Sequence, residues 1–345
     1  MHALRWLLAP AAPLYWAVVR LRNRAFDRHP ERAARVGVPV LSVGNLTTGG
    51  TGKTPVALHL AEALGRAGWR PGIVSRGYGG RRPVDPMTVA PDSDPAQTGD
   101  EPLMMARRLG PLRVVVGRRR HAAALRALAL TPAPDLLIMD DGFQHRGLHR
   151  EVNLLLLDGV RRWGNGRMLP LGDLREPMTG AARASALVVT RGSRAPRAEI
   201  LAWWERHGSG GPVFWVDFTI GALRSLDGQT RLALPGEAPG PLLAFCALGH
   251  PEAFFADLLL AGVRWNGTQA FRDHQALTEM DLARLEAQAL AVEAVGLVCT
   301  EKDAVKLAPG RRPGALPLWV AEQSVLGAED LVAWVGQAVA GFTAS

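Results

Sequence analysis

The sequence predicts an α/β fold: a parallel sheet covered by helices on both faces, followed by a smaller α/β unit. Three observations predict it. From residue 38 onward, short β-branched runs alternate with helical stretches, the pattern of parallel strands joined by helical crossovers. The first of these runs, VPVLSVG, passes through a glycine-rich loop straight into a helical stretch. After a turn-rich break, a fresh strand and helix pattern begins near residue 241 with LLAFCALGHPEAFFADLLLAG.

Composition sets the outer limits. With 345 residues, 48% of them hydrophobic, the chain is long enough for two cores and too apolar for a disordered protein. No stretch reaches the ~20 uninterrupted apolar residues that a membrane span requires, so a transmembrane bundle is excluded. Cys246 and Cys299 sit inside apolar runs, where a cysteine acts as a small buried hydrophobe, and their usage suits a reducing compartment. No Cys/His spacing suggests zinc. The net charge is +8, yet Lys53, Lys302 and Lys306 are the chain's only lysines.

Taken in order, residues 1–35 carry seven arginines against Asp27 and Glu31. They follow Trp6-Leu7-Leu8 and Leu14-Tyr15-Trp16-Ala17-Val18-Val19, an apolar segment with interfacial aromatics, which favours an anionic membrane surface over nucleic acid as partner. Pro10 and Pro13 interrupt the run, so it predicts a short uncleaved helix at the interface. A cleaved signal peptide is disfavoured, because no small-residue site follows and the arginines oppose translocation.

Residues 36–212 then read as the larger α/β domain. Its strands are VPVLSVG, RPGIVSRG, RVVVG, DLLIMDD, VNLLLLD and ALVVTRG, with a long Pro/Asp/Gly-rich loop from Gly80 to Gly99. Residues 213–240 hold two strand-like runs around Asp227-Gly228, a hairpin signal, and predict a β-ribbon linker. Residues 241–345 form the smaller C-terminal α/β domain.

The strongest chemical signal is Thr47-Thr48-Gly49-Gly50-Thr51-Gly52-Lys53-Thr54, lying between a strand and a helix opened by Pro55. Glycines there let backbone amides wrap phosphate oxygens, the lysine reaches the outer phosphates, and the Thr54 hydroxyl suits Mg²⁺. The motif departs from the strict P-loop pattern by one residue, Thr47 standing where a glycine is usual. Asp140 and Asp141, after the apolar run Leu136-Leu137-Ile138-Met139, are placed as the metal-side carboxylates of a neighbouring strand. Together these give a P-loop NTPase-like parallel sheet domain, with ATP and Mg²⁺ as cofactors.

Beyond these, GNLTTGGTGKTP, SRGYGG, TGDEPLMMA, MDDGFQH, LREP, Asp273-His274 and TEKDAVKL occur in an order that resembles the tetraacyldisaccharide 4′-kinase family, the lipid A 4′-kinases. The motifs run from about residue 38 to 307, and the basic, apolar N-terminus also fits. The resemblance implies ATP-dependent phosphorylation of the 4′-hydroxyl of a tetraacyl glucosamine disaccharide 1-phosphate, at the cytoplasmic face of the inner membrane. It implies that Asp100 is the catalytic base with His274 as its partner from the C-terminal domain, and that Lys53 acts on the transferring phosphate. Glu176 becomes a further carboxylate near metal or base, Arg76 meets substrate or phosphate, and Gln144 and His145 serve the disaccharide headgroup of the substrate or support Asp141 from behind. From the residues alone, Asp100 is a helix N-cap, His274 a surface histidine, and Glu176 equally a loop ion pair. A membrane-recruited P-loop ATPase switch and a soluble small-metabolite kinase are the alternatives. The switch leaves the Asp100 loop and the second domain without a purpose, and the soluble kinase predicts that deleting residues 1–21 leaves activity intact.

Overall fold

The computed structural model describes residues 12–82, 84–248, 250–272, 275, 277–307 and 316–342. The expected membrane helix is therefore described only from α1 (Ala12–Arg28), and the expected base partner His274 lies outside the described residues.

β1 (Val40–Asn45), β5 (Leu136–Asp140), β6 (Val152–Asp158) and β7 (Ala186–Thr190) are buried along their whole length. That explains their unbroken apolar runs: a central parallel strand covered on both faces has no wet side to mark with polar residues. They lie in the order β7-β6-β1-β5, followed by β2 (Pro71–Ser75) and β4 (Val114–Val116), all parallel. The antiparallel β3 (Met87–Val89) closes that edge. α2 (Lys53–Arg66) follows β1. The short α3 (Pro95–Thr98) and α4 (Asp100–Leu109) lead to β4, α5 (Arg120–Leu128) precedes β5, and α6 (Arg197–His207) follows β7. Both neighbours of β1 come later in the chain, so its carboxyl end lies at a crevice where open α/β sheets bind ligands. The register sets Val43 of β1 against Asp140 of β5, bringing the glycine-rich loop beside the aspartate pair.

The stretch expected as a linker is built differently. β8 (Val213–Ser225) runs parallel to β7 through Val216, then continues antiparallel to β13 (Leu318–Leu326), from Asp217 opposite Leu326 to Ser225 opposite Trp319. β9 (Arg231–Ala233) pairs with β8 as a hairpin, turned at Gly228 with φ +76°. β8 is thus a strand of both halves, and one continuous sheet of thirteen described strands runs from the second half through β13, β8 and β7 and on to β3.

In the second half, β10 (Leu242–Cys246), α7 (Pro251–Leu260), β11 (Trp265–Ala270), α8 (Glu279–Ala291), β12 (Leu297–Thr300) and α9 (Glu301–Ala304) precede β13. Cys246 and Cys299 are buried in its two cores. The last helix, α10 (Glu329–Ala340), leaves that half. Its Leu331, Val335 and Val339 join Leu41, Val56, Leu60 and Leu64 in one core. A boundary at residue 241 therefore divides the chain order but not the packing.

Candidate active site

The loop after β1 is tied at several points. Asn45 Nδ2 donates to Thr51 Oγ1 at 2.9 Å, closing the loop across its neck. The Thr48 amide donates to the Asp173 carbonyl at 2.7 Å, and Thr190 Oγ1 donates to the Thr51 carbonyl at 3.1 Å. Gly52 caps α2 in the left-handed region at φ +78°, and no side chain caps the helix. A side chain there is excluded twice over: the conformation disfavours a Cβ, and that atom would lie 2.2 Å from Phe218 Cζ. The uncapped amides of the first turn make an anion site.

Lys53, the first residue of α2, directs Nζ to 3.5 Å from Asp141 Oδ1. Asp141 adopts φ +49°, a left-handed conformation that aspartate tolerates better than most residues. Arg175 Nη1 donates to both of its carboxylate oxygens at 3.0 and 2.9 Å. Burial alone would raise the Asp141 pKa, but Lys53 and Arg175 outweigh it and hold the carboxyl below its usual range. Asp140 behaves in the opposite way. It is wholly buried, accepts from Ser75 Oγ at 3.1 Å on Oδ2, and leaves Oδ1 without a partner. Burial first, then the negative charges of Glu101 and Asp141, push its pKa up to about 7.

On the other side of Lys53, Thr54 Oγ1 donates to Glu101 Oε2 at 3.2 Å. Glu101 and Asp100 open α4, and each meets a lysine from the second half: Lys302 Nζ donates to Glu101 Oε1 at 3.0 Å, and Lys306 Nζ lies 3.8 Å from Asp100 Oδ2. Lys306 also lies 3.9 Å from Asp303 Oδ1. The TEKDAVKL segment therefore sits against α4, beside the P-loop helix that Glu101 also touches. Gly99, at φ +87°, lets the Asp100 loop pack against the SRGYGG turn, because a Cβ there would meet the Tyr78 carbonyl at 2.6 Å.

The remaining expected residues divide. Lys53, Thr54, Asp140, Asp141 and Asp100 gather at the carboxyl edge of the sheet. His145 lies nearby among cations: burial, then Arg120, Arg150, Arg22 and Arg76, lower its pKa to about 4, so it is neutral at pH 7. Arg76 itself is exposed at the end of β2. Glu176 takes the ion-pair reading, and Gln144 a supporting one. Glu176 is fully buried; it accepts from Arg183 at 2.6 Å and Asn23 at 3.0 Å on Oε2, and from Gln144 at 3.0 Å on Oε1. Gln144 Nε2 donates also to the Asn45 carbonyl at 2.6 Å. These two brace the site from beneath and tie α1 to it. α1 is fastened again where Tyr15 Oη donates to the Arg175 carbonyl at 2.8 Å.

Sequence reasoning gave Glu101 and Arg175 no role and left the contacts of Lys302 and Lys306 open. The signal for the lysines was present, since they are two of only three in an arginine-rich chain. Arg175 stands in the LREP motif, but nothing local to it points to Asp141 as its partner.

Set against known proteins, residues 4–340 match the family model described as tetraacyldisaccharide-1-P 4′-kinase. A protein of Chromobacterium violaceum named tetraacyldisaccharide 4′-kinase is 38% identical over 333 residues, 95% of this chain and 92% of that protein. One of the same name from Shewanella amazonensis is 39% identical over 310 residues, 88% of this chain and 84% of that one. A crystal structure of LpxK from Aquifex aeolicus in complex with ATP superposes with a TM-score of 0.74 at 30% identity, covering 97% of this chain and 99% of that one.

Proposed function

The chain belongs to the tetraacyldisaccharide-1-P 4′-kinase family, and from that membership we propose the roles of its residues in transferring the γ-phosphoryl group of ATP to the 4′-hydroxyl of a tetraacyl disaccharide 1-phosphate. The observation that carries the reading is the convergence of three groups on the start of α2. These are the uncapped helix amides at Gly52 and Lys53, the Asp140–Asp141 pair, and the Asp100–Glu101 pair. A switch ATPase needs the first two; an acceptor kinase needs the third as well.

Phosphoryl transfer asks the protein mainly for positioning and charge. The α2 amides and Lys53 hold the β- and γ-phosphate oxygens, and Lys53 neutralises charge that builds on them. Because Asp141 already fixes Lys53 Nζ, that charge is in place before the nucleotide arrives. Asp100 accepts the proton of the 4′-hydroxyl and orients it; Lys306, 3.8 Å away, helps to position this carboxylate. The described residues contain no cluster of three or more His, Cys, Asp or Glu able to hold a metal alone. Mg²⁺ in kinases takes few protein ligands, the phosphates and water supplying the rest. The residues fit it: Asp140 Oδ1 is buried without a partner, and Thr54 and Asp141 offer further hard oxygens close by. Held by Asp140, Thr54 and Asp141, Mg²⁺ would supply positive charge against the transferring phosphate.

The acceptor carries acyl chains, and removing them from a bilayer costs about 0.8 kcal/mol per CH₂, so the enzyme works at the lipid surface. Leu14, Val18 and Leu21 of α1, spaced four and three apart, are exposed along one face, and Arg20 lies over Trp16 at 4.6 Å. Among the described residues no helix is long and apolar enough to cross a membrane. On this reading α1 lies in the interface of the anionic inner leaflet. Its hydrogen bonds to Arg175 and Glu176 then hold the site against the membrane.

ATP turnover measured with and without tetraacyl disaccharide 1-phosphate in detergent micelles tests the proposal. Turnover that depends on the acceptor, with phosphate appearing at the 4′ position, is expected. Equal hydrolysis without acceptor overturns it in favour of an ATPase.

A further inference from the structure

At the opposite edge of the sheet, a cleft of about 600 Å³ opens where the carboxyl ends of α2 and α4 face β8, β9 and β13. The fourteen residues of α2, at about 1.5 Å each, set it roughly 20 Å from the P-loop. Its volume falls within the range of small-molecule sites. Its lining is unlike ordinary protein surface: Arg66, Arg107, Arg108, Arg113, Arg224 and Arg231 face only two carboxylates, Glu62 and Glu322.

Both carboxylates are already engaged. Glu62 accepts from Arg108 at 2.9 Å on each oxygen, and Glu322 accepts from Arg224 and Arg231 at 2.8 Å, one oxygen each. Among the described residues no carboxylate pairs with Arg66, Arg107 or Arg113. Arg107 donates to the Pro91 and Ala304 carbonyls at 3.1 and 2.9 Å, and Arg113 to the Pro71 carbonyl at 3.3 Å. These bonds orient the guanidinium groups without neutralising them. Arg107 also faces a like charge across the cleft: burial first, then Arg224, hold its pKa below the ordinary arginine value. Glu301 also pairs with Arg108, at 3.4 Å, so six arginines meet three carboxylates; the carboxyl ends of α2 and α4 contribute about half a negative charge each, which offsets roughly one of the three remaining cations. About two positive charges remain in a concave, partly desolvated space, next to the ring of Trp69.

We propose that this cleft is a second ligand site, binding a soluble anion with two or more phosphate charges through Arg66, Arg107 and Arg113. Planar guanidinium forks suit phosphate oxygens in paired hydrogen bonds. A free anion fits better than a lipid headgroup, because α1 fastens to Arg175 and Glu176 at the other edge of the sheet. The cleft therefore faces away from the surface on which α1 would lie.

Inorganic pyrophosphate is the probe, titrated calorimetrically into the full chain with its P-loop first saturated by Mg²⁺ and the non-hydrolysable analogue AMP-PNP. One further site is expected, weakening as salt is raised. The Arg66→Ala/Arg113→Ala variant should lose at least tenfold in affinity; neither residue has a carboxylate partner, so the fold should survive. Arg66→Gln alone, with a smaller loss, serves if the double variant is unstable. Lys53→Ala should bind the probe at this second site as the wild type does, which separates the proposal from the P-loop assignment. No binding beyond the filled P-loop, or equal affinity in both cleft variants, overturns the site. Weaker partitioning of the double variant onto phosphatidylglycerol vesicles, with pyrophosphate binding unchanged, overturns the soluble anion in favour of a lipid headgroup.

Discussion

Replacing Asp140 by asparagine should make the nucleotide-free protein more stable at high pH while removing its activity. In the folded chain the Asp140 pKa rises from 3.8 to about 7, so the folded state holds the proton more tightly than the unfolded one. Below about pH 4 both states are protonated and the group contributes nothing. Between about pH 4 and 7 the unfolded chain releases its proton first, so rising pH destabilises the fold by up to about 1.4 kcal/mol per unit. Above about pH 7 the full penalty stands, about 4 kcal/mol for the shift from 3.8 to about 7. Asparagine keeps the acceptor for Ser75 Oγ but places an amide where Oδ1 has no partner, a constant cost of about 1–3 kcal/mol. Asp140→Asn should therefore be less stable than wild type near pH 4.5 and more stable near pH 8. Urea denaturation of both proteins without metal or nucleotide, from pH 4.5 to 8.5, measures the difference directly. A difference that does not change with pH would refute the reasoning, because only a titrating group in the folded state produces the slope.

Lys53→Ala should lower acceptor-dependent ATP turnover at least a hundredfold, while its unfolding free energy from urea denaturation changes by no more than about 1 kcal/mol, since the side chain makes one partly exposed ion pair. Gly52→Ala should weaken nucleotide binding at least tenfold through its backbone strain and the 2.2 Å approach to Phe218. Adding Phe218→Ala should recover part of that loss in the same calorimetric titration. Asp100→Ala should reduce kcat by orders of magnitude and leave nucleotide affinity within about threefold; unchanged kcat would remove Asp100 from the chemistry. Deleting residues 1–21 should reduce sedimentation with anionic vesicles, and the intact protein's binding should fall as salt rises; equal partitioning of the two forms would make α1 an ordinary packed helix.

The parts of the site legible in the sequence were those written within a few consecutive residues. The loop from Thr47 to Thr54 announces itself because its glycines, lysine and threonine must stand at fixed offsets to surround a phosphate. Asp140 and Asp141 follow directly from the end of an apolar strand. The β8 region reads as a separate ribbon because its turn, Asp227-Gly228, is local, whereas its main partner β13 lies about a hundred residues later and no short window reveals it. For Glu176 and Gln144 the neighbouring residues leave open whether they face the ligands or brace the site. What decides their position is Arg183 and Asn23, the second of which belongs to α1, more than a hundred residues upstream. Glu101 was overshadowed by Asp100 beside it, although the hydroxyl of Thr54 and the ammonium of Lys302 both converge on it.

The shared strand β8 and the return of α10 to the first core bear on how this protein comes off the ribosome. Val335 and Val339 fill the same core as Leu41 and Val56, so the oldest part of the nascent chain waits for the youngest. Until residue 340 has emerged from the exit tunnel, α2 keeps an apolar flank open and β8 keeps an unpaired edge. The two halves cannot mature one after the other as independent domains do. A chain truncated near residue 240 should aggregate, and a nonsense or frameshift lesion close to the end should be as damaging as one at the start.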